Sequence, residues 1–379
     1  MTLPAYLDYN GTTPLDPEVI TAMRPFLEEN FGNPSSSHWY GIRPKQAVEA
    51  ARKQVAKLIN CLPEEIIFTS GGTESNNNAI KGIARTLQHK GRHIVTSAFE
   101  HPAVIEVCRY LESEGFETTL VPVDKEGMLD PEMVNQVLRS DTILITVMHA
   151  NNEVGTVQPI EAISRLAREH GIVMHTDAAQ SLGKIPVDVQ ALGVDMLSIA
   201  GHKIYAPKGI GALYVRKGIT LEKFCHGAGQ ENGWRAGTEN VPGIAALGKA
   251  CEIADRDIEA AMTRMREMRD RLHLGISGRI SEVRLNGHHE NRLPNTLNLS
   301  FKGLEANSIL EEIGLEVAAS AGAACHADTV AISHVLEAMQ VPLEWAKGTL
   351  RFSVGRMTTV EEIDRAIDAV SNAVTELIK

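Results

Sequence analysis

Six stretches of the sequence carry residue types suited to chemistry. Thr69-Ser70-Gly71-Gly72-Thr73-Glu74-Ser75-Asn76 follows a strand-like run and opens a helix. Free N–H groups and the helix dipole at such an N-terminus favour a phosphate. Gly71 and Gly72 let the backbone approach it, and the Thr73 hydroxyl can donate. A Thr-capped turn fits the same residues, and the Lys of a nucleotide P-loop is missing. His175-Thr176-Asp177-Ala178-Ala179-Gln180 puts a carboxylate at the C-terminal end of a predicted parallel strand, where open α/β sheets place ligands. A structural helix cap is the plain alternative for Asp177. Ala200-Gly201-His202-Lys203 sets a lysine beside another strand end. If desolvated there, Lys203 has the lowered pKa that a Schiff-base lysine needs. A surface loop lysine is the alternative.

The fourth stretch, 319–326, surrounds Cys325 with small residues and places His326 beside it. An accessible thiol near a base is a nucleophile, whereas most cysteines are small buried hydrophobes. Gly227-Ala228-Gly229-Gln230, followed by Arg235-Ala236-Gly237-Thr238-Glu239-Asn240, offers an anion two glycine turns and a cation, or is simply a pair of surface turns. Arg351, inside the strand-like Leu350-Arg351-Phe352-Ser353, needs a carboxylate partner from the protein or from a substrate. The combination says more than any member. A strand-end Asp, a Gly/Thr anion cradle and a loop Lys are together what pyridoxal phosphate requires.

These residues need a frame that brings strand ends together. Strand-like runs recur at 66–68, 93–96, 119–123, 143–148, 173–176, 196–199 and 211–215. Helical spacing between them appears in Val48, Ala51, Val55 and Leu58, and again in Ile163, Leu166 and Ala167. This alternation predicts an α/β fold with a mostly parallel sheet covered on both faces. After about 255 the texture changes. Ile258, Ala261, Met262, Met265 and Leu272 mark one face of a long amphipathic helix. A mixed segment covers 283–352, and a final helix covers roughly 360–378. The reading is an N-terminal segment, 1–14, packing with the smaller domain, then a large domain over 15–255 and a small one over 256–379.

Composition limits what the frame can serve. The chain has 379 residues, with 37 Lys plus Arg against 48 Asp plus Glu, a net charge of −11. Such a balance does not suit a general nucleic-acid binder, and it leaves room for a locally positive pocket. At 43% hydrophobic residues, a large core is available. The five cysteines are scattered and form no C-x-x-C pair, which argues against a disulfide framework or a zinc ribbon and for a reducing compartment. Cys61, Cys108 and Cys251 read as packing residues, and Cys225, ahead of a Gly-rich loop, reads either way. No apolar run approaches the roughly 18 residues of a membrane span. The N-terminus has neither a basic nor an apolar signal region. The expectation is a cytoplasmic protein with no membrane or nucleic-acid partner and no metal site.

The motifs resemble, in order and nearly end to end, those of the NifS-like cysteine desulfurases and selenocysteine lyases. These are pyridoxal-phosphate enzymes of fold type I in the class V aminotransferase group. Carrying the resemblance are Tyr6-Leu7-Asp8-Tyr9-Asn10-Gly11-Thr12-Thr13-Pro14, Phe31-Gly32-Asn33-Pro34-Ser35-Ser36, Gly72-Thr73-Glu74, Glu100-His101 and Asn151-Asn152-Glu153-Val154-Gly155. The Asp177, Lys203, Arg235–Asn240, Cys325 and Arg351 stretches complete it.

The resemblance implies a seven-stranded, mostly parallel sheet in the large domain and an α+β C-terminal domain carrying the Cys loop. It implies that Lys203 forms the cofactor imine and shuttles the substrate Cα proton. Asp177 would pair with the pyridine nitrogen, His101 would stack on the ring, and Gln180 and Asn152 would contact the cofactor. Gly72, Thr73 and His202 would hold the phosphate, with Thr238 contributed by the partner of a homodimer. Arg351 and Asn152 would bind the substrate carboxylate. Cys325 would take sulfur from L-cysteine as a persulfide, releasing alanine, and pass it to an acceptor protein, as in iron–sulfur cluster biogenesis.

Three positions depart from the common pattern. Ala200 stands where Ser is usual, which removes a phosphate hydroxyl, and Gly11 replaces a common Ala. The loop reads Gly322-Ala323-Ala324-Cys325-His326 rather than Gly-Ser-Ala-Cys-Thr. That loop and Arg292-Leu293-Pro294-Asn295-Thr296 are similar to animal selenocysteine lyases, so L-selenocysteine is the alternative substrate. An aminotransferase and a cofactor-free scaffold are the other readings of the fold.

Overall fold

The computed structural model describes residues 3–326 and 329–379, and for 323–326 and 329–331 the backbone alone. A seven-stranded sheet runs in the spatial order Ile66–Thr69, Gly211–Val215, Met196–Ala200, Val173–Asp177, Thr142–Thr146, His93–Ser97, Glu117–Val121. Only Gly211–Val215 runs against its neighbours. Every residue of Thr142–Thr146 and of Met196–Ala200 is buried, which is why these strands read as unbroken apolar runs. The run at 119–123 forms the edge strand two residues earlier, as Glu117–Val121. Pro122 has no N–H with which to continue the ladder.

Alternate residues of each strand face opposite sides of the sheet. Ile94, Leu144 and Leu213 pack with Ile80, Ile83, Val104 and Leu111 of the helices Gly72–Leu87 and Pro102–Ser113. Val95, Ile145 and Tyr214 pack on the other face with Val48, Val55, Ile163 and Leu247. Those residues come from Trp39–Leu58, Ile160–Glu169 and the start of Val241–Ser277.

A second, antiparallel sheet joins Ser320–Ala321, Thr349–Ser353, Thr296–Phe301 and Val283–Asn286 in that order. Its core combines Leu297, Leu299 and Phe352 with Leu272, Ile363 and Val370. The N-terminal Ala5–Tyr6 pairs with Val317–Ala318, and Leu7 joins this second core. The final helix is Val360–Ile378. The Ala323–His326 strand, which carries Cys325, forms a hairpin with Thr329–Ile332.

The long helix starts at Val241, well before the amphipathic stretch that reveals it in the sequence. Its early residues, among them Val241, Ile244, Leu247 and Cys251, are buried in the first core. A helix apolar on most of its faces shows no moment. Position 255 falls inside this helix, between Ile253 on the first core and Met265 on the second.

Candidate active site

A cavity of about 320 Å³ opens where the parallel strands end. It is lined by Gly72, Thr73, His101, Asn152, Asp177, Gln180, His202, Lys203 and Arg351, nine residues singled out from the sequence. They arrive on separate elements. Asp177 ends one strand, and Lys203 closes the short Gly201–Lys203 turn after Met196–Ala200. Gly72 and Thr73 open their helix.

That helix has no side-chain cap, so its first N–H groups are available to an anion. A Cβ added to Gly72 would come within 3.2 Å of Ala200 Cβ, so glycine lets the Lys203 strand end approach the cradle closely. Ala200 offers no hydroxyl there.

Asp177 is buried, and both oxygens are used. Asn76 Nδ2 donates to Oδ2 at 2.7 Å, and the Ala179 N–H donates to Oδ1 at 2.9 Å. Asn76 closes the first sequence stretch, which assigns it no role of its own. It lies three and four residues after Thr73 and Gly72, on the helix face that turns to the sheet, and that spacing was its signal. Its Oδ1 is buried and, among the described residues, has no partner.

Lys203 Nζ donates to the carbonyls of Asn10 at 2.5 Å and Gly11 at 2.7 Å. Burial first, then the charge of Arg351, brings its pKa down to about 8, against the pull of Asp8 and Asp177. The N-terminal segment clamps this turn from outside. The Thr13 N–H and hydroxyl both donate to the His202 carbonyl. Burial, then the charges of Lys203, Lys208 and Lys184, pushes His202 down to about 4, so its imidazole is neutral at pH 7. Its Nδ1 faces Thr12 Oγ1 at 3.2 Å.

His101 caps the helix Pro102–Ser113. The Ala103 N–H donates to its Nδ1 at 3.0 Å, which leaves the ring proton on Nε2. Burial lowers its pKa in spite of Asp177. Gln180 Nε2 donates to the Asn10 carbonyl at 3.1 Å. The Asn152 carbonyl accepts from Asn10 Nδ2 at 3.0 Å and from Arg351 Nη1 at 3.2 Å.

Arg351 Nη2 meets Asp8 Oδ1 at 2.7 Å and Ser320 Oγ at 3.0 Å. The pairing with Asp8 uses one nitrogen only, and Arg351 Nε is buried without a partner among the described residues. The guanidinium therefore keeps capacity for a second carboxylate.

Thr238 does not line the cavity. It is exposed, on a loop anchored elsewhere. Glu231 of that loop is buried and accepts from both Arg52 Nη1 and Nη2 at 2.8 Å and from the Phe68 N–H at 2.8 Å. Arg235, in the stretch that offers either an anion site or a pair of surface turns, is paired with Glu74 at 2.9 Å. The Cys325 side chain lies outside the described residues. The other cysteines are free thiols. Burial pushes Cys61 and Cys108 up to about 12 and raises Cys251 further, while Cys225 is exposed.

The set fits pyridoxal 5'-phosphate on its own chemistry. It combines an uncapped helix N-terminus for a phosphate, a buried carboxylate for a pyridinium and an amine that loses its proton near neutrality. Sheet and site define a fold type I pyridoxal-phosphate enzyme, and the chain belongs to the aminotransferase class-V family, which it matches over residues 5–366. Within that family it falls among the cysteine desulfurases. It is 52% identical to cysteine desulfurase IscS of Dictyoglomus turgidum, across 98% of this chain and 95% of that one. It is 48% identical to the IscS of Methanosarcina thermophila, across 98% and 92%. Among solved structures, a NifS-like protein superposes with a TM-score of 0.93 at 37% identity, covering 99% of this chain and all of the other. SspA in complex with cysteine superposes with a TM-score of 0.82, also at 37% identity, over 94% of this chain and 100% of that one.

Proposed function

We propose that the chain removes sulfur from L-cysteine, giving L-alanine and a persulfide on Cys325. The observation that carries this reading is the convergence of Lys203, Asp177 and Arg351 on one cavity at the strand ends, and the burial that lowers the pKa of Lys203 supports it. When bound, the cofactor supplies an electron sink for bond breaking at the substrate's carbons. Asp177, oriented by Asn76, holds the proton of the ring nitrogen. Thr73, the N–H of Gly72 and neutral His202 would hold the phosphate, and His101 would lie against the ring. Arg351 gives up Asp8 to take the substrate carboxylate, beside Asn152. Lys203, uncharged for part of its population near pH 8, moves the proton at the substrate Cα. In the net reaction the Cys325 thiol becomes a persulfide, S–SH, and the substrate's CH₂–SH becomes CH₃.

The working unit in this reading is a homodimer, with Thr238 completing the partner's phosphate site. The exposed aromatic patch of Phe31, Trp39 and Tyr40, with Phe31 74% and Trp39 62% accessible in the single chain, supports such an interface. A protein acceptor then takes the sulfur, in the cytoplasm.

The test is alanine release from L-cysteine and from L-selenocysteine by wild type and Cys325→Ser. Cysteine turnover falls to near zero in the variant. Intact cysteine turnover would overturn the assignment of Cys325. Retained selenocysteine turnover in Cys325→Ser would mark a lyase activity as well, the reading favoured by the 322–326 loop and by 292–296.

A further inference from the structure

Lys184 has no part in the roles above, yet it is only 4% exposed and stands against the site. A buried lysine needs a partner or must lose its charge. Among the described residues, none of the ion pairs involves Lys184. The groups around it are mostly cationic or phenolic. Lys203 and Arg351 lie toward the cofactor cavity, and Tyr9, Tyr205, Arg356 and Asp257 line a small second cavity behind it. Burial, then the charges of Lys203 and Arg351, drives its pKa well below that of an ordinary lysine. An uncharged amine has two N–H bonds, and Nζ uses two: one to Gln180 Oε1 at 2.6 Å and one to Asn10 Oδ1 at 2.9 Å.

Both acceptors belong to the network that holds the catalytic amine. The Asn10 carbonyl accepts from Lys203 Nζ and from Gln180 Nε2. The Asn10 side-chain N–H groups serve Thr296 Oγ1 at 2.8 Å and the Asn152 carbonyl. We propose that Lys184 is a positioning residue that holds the carbonyl ends of the Gln180 and Asn10 amides, so that the N–H end of Gln180 faces the cavity and donates to the cofactor's phenolic oxygen. The proposal rests on Gln180 being a cofactor contact. A donor at that oxygen stabilises its charged form. It therefore lowers the pH at which the lysine-bound cofactor loses its proton. Without Lys184, Gln180 Oε1 is left buried with no donor, and the amide is free to turn its N–H end away.

The test is the pH titration of the holoenzyme's visible absorption band, with thermal stability measured alongside. Lys184→Met keeps the stem and removes the donors. Its midpoint moves up by about one unit, a tenfold change in proton affinity. Lys184→Gln, which keeps an N–H donor, stays near the wild type. Gln180→Ala moves the midpoint as Lys184→Met does, and the double variant moves it no further, because both act through one contact. If Lys184→Met does not fold, Lys184→Leu set against Lys184→Gln carries the same contrast. A lowered melting temperature with the midpoint unmoved makes Lys184 merely structural and overturns the proposal. An unmoved midpoint in Gln180→Ala instead removes the Gln180 contact on which it stands.

Discussion

A lysine that must react as a free amine is stabilised against its proton by its surroundings, and the folded chain bears the cost. Lys203 falls from 10.5 to about 8, chiefly through burial. Between those two pH values the unfolded chain holds a proton that the folded chain has released. Lys203's own contribution to the stability of the cofactor-free protein therefore becomes less unfavourable as pH climbs from about 8 toward 10.5, and at pH 7 the folded state carries its full penalty. Cofactor-free Lys203→Met, free of that penalty, is more stable than wild type at pH 7, and its advantage shrinks as pH rises through 8. Urea denaturation at pH 7, 8.5 and 10 measures the gap. A gap that does not change with pH would show that Lys203 titrates normally. At this scale the sequence was informative wherever a residue type has few alternatives. Lys203, Asp177 and the glycine cradle could be read from type and strand-end position. Asn76, Asn10 and Lys184 could not, because each matters only through contacts made by chain that is distant in sequence.

Elements carry the site by being fixed to one another, and the loop that bears Thr238 is held by the buried Arg52–Glu231 pair, with Arg235–Glu74 beside it. Arg52 grips Glu231 with two nitrogens, lies over the Phe68 ring, and also donates to the Ile66 carbonyl at 2.7 Å. Both side chains are almost wholly buried. Removing one member of such a pair leaves an uncompensated charge, at a cost of about 3–5 kcal/mol. Glu231→Ala lowers stability by that order in urea denaturation and speeds amide exchange in 229–240, while the strand Val173–Asp177 keeps its protection. A loss under about 1 kcal/mol, the size seen for exposed pairs, would mean that water reaches Arg52. Neither partner stands out in the sequence, where Arg52 looks like a polar residue on an amphipathic helix. The strands were legible because their burial on both faces makes apolar runs. The first half of Val241–Ser277 was hidden for the same reason, since apolar residues all around a helix leave no 3.6-residue pattern.

The net charge of −11 belongs to the chain as a whole, whereas Arg351 and Lys203 converge on the cavity, as an anionic cofactor and a substrate carboxylate would require. What a single chain does not supply there is Thr238, exposed and outside its own cavity. In the proposed dimer, this exposed hydroxyl would serve the phosphate site of the second copy. This arrangement makes a prediction that separates the two geometries. Lys203→Ala protomers cannot form the imine, and Thr238→Ala protomers hold the phosphate weakly. In a mixed dimer, the Thr238→Ala protomer keeps its own Lys203 and receives an intact Thr238 from its partner. One complete site per mixed dimer is restored, so mixing the two variants recovers tight cofactor retention and desulfurase activity toward half of the wild-type level per mixed dimer. If Thr238 served its own chain, that protomer would still lack the hydroxyl, and retention in the mixture would stay at the level of Thr238→Ala alone. Cofactor dissociation measured by dialysis of the separated and the mixed variants distinguishes the two outcomes.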